Sequence, residues 1–484
     1  MTAPEPAFDT SRAKAFTQLV VRHFEGAAVT IMVEVGRRVG LFDAMARMGP
    51  ATSAGIAAET GLNERYVREW LGAMVCGGVV EYDAAARAYR FPPEHAAALT
   101  GASTKNLATV AEIFPLLSRV IPDVVEAFHT GRGVPYRAYQ PDFTGLMDRR
   151  SRPRYDEHLF ESQALKDNPL GDPYRRPLWV YLPPGYDVDP QRRYPSIYVI
   201  MGLTGQIDMW RNRPSLRRNF PELADAQFAA GGAPPCILVY VDAWTSIGGS
   251  QYVDSPGTGK YHTYLCDEIV PWVDAHYRTL PQARHRGITG KSSGGYGAMI
   301  TPMLRPDLFG GLATHAGDAL FEMSYAQAFP RSVRALRDHY HSSFDEFWKD
   351  FRSRTAFTRE GDGDLLNDWC MAACYSADDD GTVRLPYDTA TGLLIPDVWE
   401  RWPRWDPVRM VPHHADALRK MRAIYIDAGK RDQFFLDLGA EAFRRALAAI
   451  GVTDIFFELF DATHDAIEYR YPIAIKYLAE RLTP

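Results

Sequence analysis

The segment Gly290-Lys291-Ser292-Ser293-Gly294-Gly295 sets a serine in the pattern G-x-S-x-G. A serine hydroxyl is a weak nucleophile at neutral pH and attacks a carbonyl only when its Oγ is presented to a general base. A strand-to-helix turn sharp enough to expose that oxygen leaves no room for side chains at Gly290 and Gly294. The flanks provide both elements, since HRGITG reads as a short buried strand and YGAMITPMLRPDLF as a helix. Ser292 is therefore the expected nucleophile. The backbone N–H of Ser293 falls at the helix N-terminus, where the helix dipole helps it donate to an oxyanion.

A base and an orienting acid should follow in the chain order Ser, Asp or Glu, His. The last strand, in DIFFELFDATHD, leads to His464, the expected base. The strand in RAIYIDAG offers two acids, Asp427 within its end and Asp432 in the loop beyond. Asp432 is favoured because the acid must reach over the carboxyl edge of the sheet toward the histidine, with Asp427 as the alternative. Asp461 and Asp465 read as solvated loop carboxylates. The second oxyanion donor should come from the loop after an early strand, YVIMGLTGQIDMW, where the backbone N–H of Leu203 follows Gly202.

Holding these groups together requires a sheet. LWVYLP, YPSIYVIMG, PCILVYVD, HRGITG, GGLATHAG, RAIYIDAG and DIFFELF alternate with helical stretches such as LGAEAFRRALAAI. That alternation predicts a mostly parallel sheet covered by helices on both faces. A helical, Trp-rich stretch over about residues 319–420 interrupts it, the form of an inserted cap. Its Trp348, Trp369, Trp399, Trp402 and Trp405 either wall an acyl pocket or pack the cap. Cys370 and Cys374 have no partner pair at zinc spacing and read as core, while His339, His341, His413 and His414 read as loop histidines. No metal is expected.

Ahead of this pattern, residues 16–48 predict two packed helices, with a break at Gly40. Residues 51–92 then read as helix, turn at Gly61, helix capped by Asn63, and hairpin, the order of a winged helix-turn-helix. Those residues carry Arg65, Arg68, Arg87 and Arg90 against Glu59, Glu64, Glu69, Glu81 and Asp83, a balance that argues against DNA as partner. The turn-rich ESQALKDNPLGDPYRRP marks the boundary, giving modules 1–158 and 159–484.

At 484 residues the chain has room for two or three domains. Its 46% hydrophobic and 24% charged content excludes disordered and fibrous classes. The net charge of −6 offers no general attraction to nucleic acid or anionic lipid. Five scattered cysteines suit a reducing compartment. The opening MTAPEPAFDTSRAK lacks an apolar h-region and no run of about 18 apolar residues occurs, so a cytoplasmic location is expected.

NPLGDPYRRPLWVYLPPGYD, VIMGLTGQ, SQYVDSP, YLCDEIVPWVDAHYRT and GKSSGGYGA, with the late Asp and His, resemble one esterase family over about residues 160–484. That family includes esterase D (S-formylglutathione hydrolase), enterochelin esterase and the antigen 85 type of mycolyltransferase. The resemblance implies an α/β-hydrolase fold with a helical cap insertion. It carries a triad onto Ser292, Asp432 and His464 and oxyanion amides onto Leu203 and Ser293, with no cofactor. It also puts Tyr252, Asp254 and Tyr261 near the mouth of the site. Met201-Gly202 stands where His-Gly is common, and the long insert departs from compact members.

Residues 12–158, with the winged helix and GRGVPYRAYQPDFTGLMDR, resemble the amino-terminal dimerisation and lid region of bacterial S-adenosylmethionine-dependent methyltransferases. The glycine-rich cofactor domain of that family does not follow. IDAGKRD has a single glycine, and SPGTGKY fails as a P-loop because Asp254 and Tyr261 hold two of its key places. The resemblance implies a homo-oligomer, a dimer through this module. The combined expectation is a serine hydrolase acting on small-molecule carboxylic esters through an acyl-enzyme, with neither nucleic acid nor membrane as partner. The alternatives are an acyltransferase with the same triad, or a winged-helix ligand-sensing regulator with a hydrolase-like sensor domain.

Overall fold

The computed structural model describes residues 8–100, 106–134, 138, 155–186, 189, 191–212, 217–356 and 359–484. Most of the string GRGVPYRAYQPDFTGLMDR lies outside the described residues. Two compact units divide the chain, Met1–Arg152 with Gly185–Pro190 and Pro153–Pro184 with Gln191–Pro484. The division falls earlier than the expected 158/159, because Tyr155–Glu161 is a strand of the second unit's sheet.

In the first unit, helix α1 (Thr10–Arg38) starts at Asp9, whose side chain accepts from Arg12 N, and gives way at Gly40, φ 74°, to α2 (Leu41–Arg47). Helix α3 (Ser53–Thr60) ends at Gly61, and α4 (Glu64–Cys76) is capped by Asn63, which accepts from Arg65 N at 3.1 Å. A hairpin of Glu81–Asp83 and Ala88–Arg90 follows. The core gathers Phe42, Val67, Trp70, Leu71 and Met74. Trp70 lies so close to α1 that a Cβ at Gly36 would meet its ring at 2.4 Å, and its Nε1 donates to Met32 O. The arginines here are partly spoken for, Arg90 by Glu81 at 2.8 Å and Arg68 by Glu64 at 3.4 Å.

The second unit is built on eight strands: β1 (Tyr155–Glu161), β2 (Arg175–Tyr181), β3 (Ser196–Ile200), β4 (Ile237–Val241), β5 (Arg286–Ser292), β6 (Gly311–Gly317), β7 (Ala423–Gly429) and β8 (Phe456–Phe460). Their order across the sheet is β8-β7-β6-β5-β3-β4-β2-β1, antiparallel at β1/β2 and β2/β4 and parallel elsewhere. This is the α/β-hydrolase arrangement. Strands β3, β4, β6 and β7 are buried throughout, as parallel strands covered on both faces must be. The order sets the carboxyl ends of β5, β6 and β7 side by side, which places the loops after them along one edge.

Helix α5 (Ser293–Leu304) follows β5 and is buried over nearly its whole length. Between β6 and β7 comes the helical insert, including Phe329–Tyr340, Phe344–Ser353 and α6 (Asp362–Tyr375). Its tryptophans divide toward packing. Trp402 is fully buried among Tyr325, Phe329 and Tyr375, with Nε1 donating to Ser376 Oγ at 2.9 Å, and Trp348 packs on Phe347 and Phe351. Cys370 and Cys374 are buried on α6, the Cys370 thiol donating to Gly249 O. Helices α7 (Leu436–Ala449) and α8 (Tyr471–Leu482) complete the layers. Among the described residues no helix is long and apolar enough to cross a membrane.

Candidate active site

Strand β5 ends on Ser292, and α5 begins at Ser293. Ser292 has φ 58° and ψ −128°, a conformation that costs a non-glycine residue about 1–3 kcal/mol. The packing around it explains how the turn is held. A Cβ at Gly290 would lie 2.4 Å from the Gly294 backbone, and one at Gly294 2.6 Å from Ile200 O. Both glycines of the motif are thus required by close approach. A Cβ at Gly202 would meet Lys291 O at 2.9 Å and the Ser292 Cβ at 3.3 Å, so the loop after β3 lies directly against the serine.

That loop carries Leu203. Its neighbours are engaged, Thr204 N donating to Gly248 O at 2.8 Å and Gly205 N to Gly202 O at 3.0 Å. Among the described residues the N–H groups of Leu203 and Ser293 have no protein acceptor. Two free amides flanking one serine are what a developing oxyanion needs. The loop is braced from below by buried Tyr252, whose hydroxyl accepts from Met201 N at 2.7 Å and donates to Met201 O at 2.9 Å. Asp254 and Tyr261 serve elsewhere: Asp254 binds Thr263 N and Oγ1, and Tyr261 contacts Arg176.

His464 and Asp432 meet. The Nδ1 of His464 lies 2.8 Å from Asp432 Oδ2, both side chains nearly buried. Asp432 Oδ1 accepts from Phe434 N at 2.8 Å, and His464 N donates to Gln433 Oε1 at 3.1 Å. Gly429 lets the two loops approach, since a Cβ there would meet Ala462 O at 2.5 Å. With Nδ1 committed to the carboxylate, Nε2 is left for proton transfer. The Phe434 ring stands edge-on to the imidazole at 5.0 Å. Ser292 Oγ makes no hydrogen bond to His464 here; such contacts are commonly long in a free enzyme and tighten on substrate.

Asp427, the other acid in the strand, is engaged elsewhere. Its Oδ1 faces His315 Nδ1 at 2.7 Å, and its Oδ2 takes Arg470 Nε at 2.7 Å and the Tyr425 hydroxyl at 2.8 Å. Burial pushes its carboxyl up, but His315 and Arg470 outweigh this and hold it below the ordinary range. Asp461 is exposed and paired with Arg431, and Asp465 accepts from Gln433.

Sequence reading did not single out Asp318. It follows β6 directly, and its Oδ2 accepts from Tyr325 at 2.8 Å, Gln251 Nε2 at 3.1 Å and Ser293 Oγ at 3.2 Å. The only available signal was an acid placed immediately after a buried strand. Strain gathers along the same edge: Thr204, Gln251, Tyr252, Leu320, Phe435 and Ala466 also have positive φ. Such outliers persist where surrounding packing over-determines them, commonly at functional sites.

Against known proteins, the family model described as Putative esterase matches residues 173–462, more than half of the chain. The chain belongs to that esterase family. A second model, Rv2258c-like winged HTH domain, matches residues 27–101. Outside the family models, the esterase chain is similar to Esterase Rv1288 of Mycobacterium tuberculosis, 27% identical over 179 residues, 36% of this chain and 35% of that protein. An endo-1,4-beta-xylanase/feruloyl esterase of Xylanibacter ruminicola is 26% identical over 134 residues, 27% of this chain and 18% of that one. The chain thus spans about a third or less of the length of these curated relatives. Among solved structures, a ferulic acid esterase aligns with TM-score 0.45 and 19% identity, over 68% of this chain and 99% of its own. An S-formylglutathione hydrolase from Agrobacterium tumefaciens aligns with TM-score 0.41 and 18% identity, over 69% and 96%.

Proposed function

We propose that this esterase-family chain hydrolyses carboxylic esters with Ser292 as nucleophile, His464 as base and Asp432 as orienting acid. The observation that carries the reading is the buried contact of His464 Nδ1 with Asp432 at 2.8 Å, on the sheet edge that also presents the strained Ser292. His464 Nε2 takes the Ser292 proton as Oγ attacks the ester carbonyl. The carbonyl electrons move onto its oxygen, which the N–H groups of Leu203 and Ser293 receive. His464 returns the proton to the departing alkoxide, leaving an acyl-serine. Water, deprotonated by the same imidazole, then adds to the acyl carbonyl, and collapse releases the acid and restores the serine.

The leaving alcohol must lie on the His464 side. There Phe434, Phe435 and Leu438 remain 38%, 41% and 43% exposed, an apolar rim that favours an alcohol with an aromatic or aliphatic body. The amino-terminal unit is assigned to self-association, for which Phe16 and Phe24 stand exposed on α1.

The test is labelling by a fluorophosphonate probe together with turnover of nitrophenyl, methyl and aromatic-alcohol esters, for wild type and Ser292→Ala. Labelling and turnover are expected in wild type and absent from the variant. Equal turnover in the two would reject the reading.

A further inference from the structure

Among buried carboxylates of the second unit, Asp318 and Asp406 make a useful pair. Asp406 is engaged as structural acids commonly are, accepting from the backbone N–H groups of Leu320, Phe321 and Val408. Among the described residues Asp318 takes no backbone donor. It is 5% exposed, no cationic side chain pairs with it among the described residues, and three side chains converge on its Oδ2. One of the three is the hydroxyl of Ser293, the residue after the nucleophile. The backbone on both sides is forced to suit: Gln251, which donates to it, has φ 51°, and Leu320, two residues on, has φ 57°. Burial without a cation raises its carboxyl, a rise moderated by Gln251, Tyr325, His464 and Ser293. Asp318 directly follows β6, beside the end of β7, whose following loop carries Asp432, the partner of His464.

We propose that Asp318 is a positioning residue of the reaction centre. It holds Ser293 through its hydroxyl so that the Ser293 N–H stays aimed at the oxyanion, and its carboxylate stabilises the His464 imidazolium formed when Ser292 gives up its proton. Asp432 orients the imidazole from the loop after β7, and Asp318 acts from the neighbouring strand end, after β6. Lys291, beside Ser292, is 3.6 Å from Glu468, and Asp465 is held by Gln433. Around Asp318 itself, Gln251, Tyr325, Ser293 and Met371 are uncharged at neutral pH.

This inference rests on the serine-hydrolase reading, and the experiment separates the two. Wild-type turnover that disappears in Ser292→Ala establishes that reading without reference to Asp318; its failure overturns both. With turnover in hand, Asp318→Asn keeps shape and polarity and removes the charge. The expected result is a kcat lowered about tenfold at nearly constant KM. The acid limb of kcat/KM should move to lower pH by about half a unit or more, because loss of a nearby negative charge disfavours the imidazolium. Ser293→Ala, which cuts only the hydroxyl link, should lower kcat severalfold and leave that limb in place. A folded Asp318→Asn protein with wild-type kcat and acid limb overturns the proposal. If that variant does not fold, an unchanged kcat in Ser293→Ala overturns it.

Discussion

Strand β7 serves two buried histidine-carboxylate pairs of almost equal geometry, His464–Asp432 at 2.8 Å and His315–Asp427 at 2.7 Å. Their surroundings differ. His315 and Asp427 are register partners within the β6/β7 ladder, both fully buried, and Arg470 and Tyr425 close off the remaining carboxylate oxygen. Arg470 also reaches Glu458, so the second pair belongs to a neutralised network that ties the segment after His464 to β7. Among the described residues His315 Nε2 has no hydrogen-bond partner, and the side chain is fully buried. His464 and Asp432 stand in loops just past the strand ends, on the edge that carries the half-buried Ser292. Donor-acceptor distance does not separate the two pairs. Position relative to the end of the ladder does, since His315 and Asp427 lie within it and His464 and Asp432 past it.

The comparison can be broken most directly by neutralising each acid. Asp432→Asn should lower kcat by about 10⁴-fold, through loss of the imidazole's correct tautomer, with little change in thermal unfolding. Asp427→Asn should do the reverse. It leaves Arg470 short of a buried partner and should cost about 3 kcal/mol or more of stability, with kcat per folded molecule close to wild type. Urea unfolding and steady-state assays on both variants decide the matter, and exchanged phenotypes would sink it. Acid unfolding sharpens the same contrast. The folded Asp427 carboxyl is held below its ordinary value, so its contribution is present above the unfolded pKa and is lost as pH falls through the lower folded value. The stability gap between wild type and Asp427→Asn should hold from neutrality down to about pH 4 and close below it. The smallest effect is expected at the elbow. Ser292→Gly relieves the strain at φ 58° and should raise stability by about 1 kcal/mol while removing the nucleophile.

Much of this arrangement is legible in the chain. The elbow announces itself because Gly290 packs against Gly294, four residues on, and β3, β4, β6 and β7 show as compact apolar runs because they are buried on both faces. Strand β1 does not show. YDEHLFE is an antiparallel edge strand with Glu157, Leu159 and Glu161 at its exposed positions, so its run of apolar residues is broken and the unit boundary is read too late. Asp318 is silent for another reason. Its partners Gln251, Ser293 and Tyr325 come from separate segments, and no local spacing marks their convergence. The tryptophans of the insert give composition without direction, and only the packing of Trp402 onto Tyr325 and Tyr375 assigns it to the core.

The strand order described above also sets a timetable. The groups of the site lie at positions 203, 292, 318, 432 and 464, and the last of them follows β8, at the sheet's outer edge. A growing chain that has released β5 and formed the elbow still lacks His464, and seats it only after β7 and β8 have docked across long sequence separations, the slow class of contact. Recovery of activity during refolding would therefore report the closing event of assembly, well after the helices of the first unit have formed from local contacts.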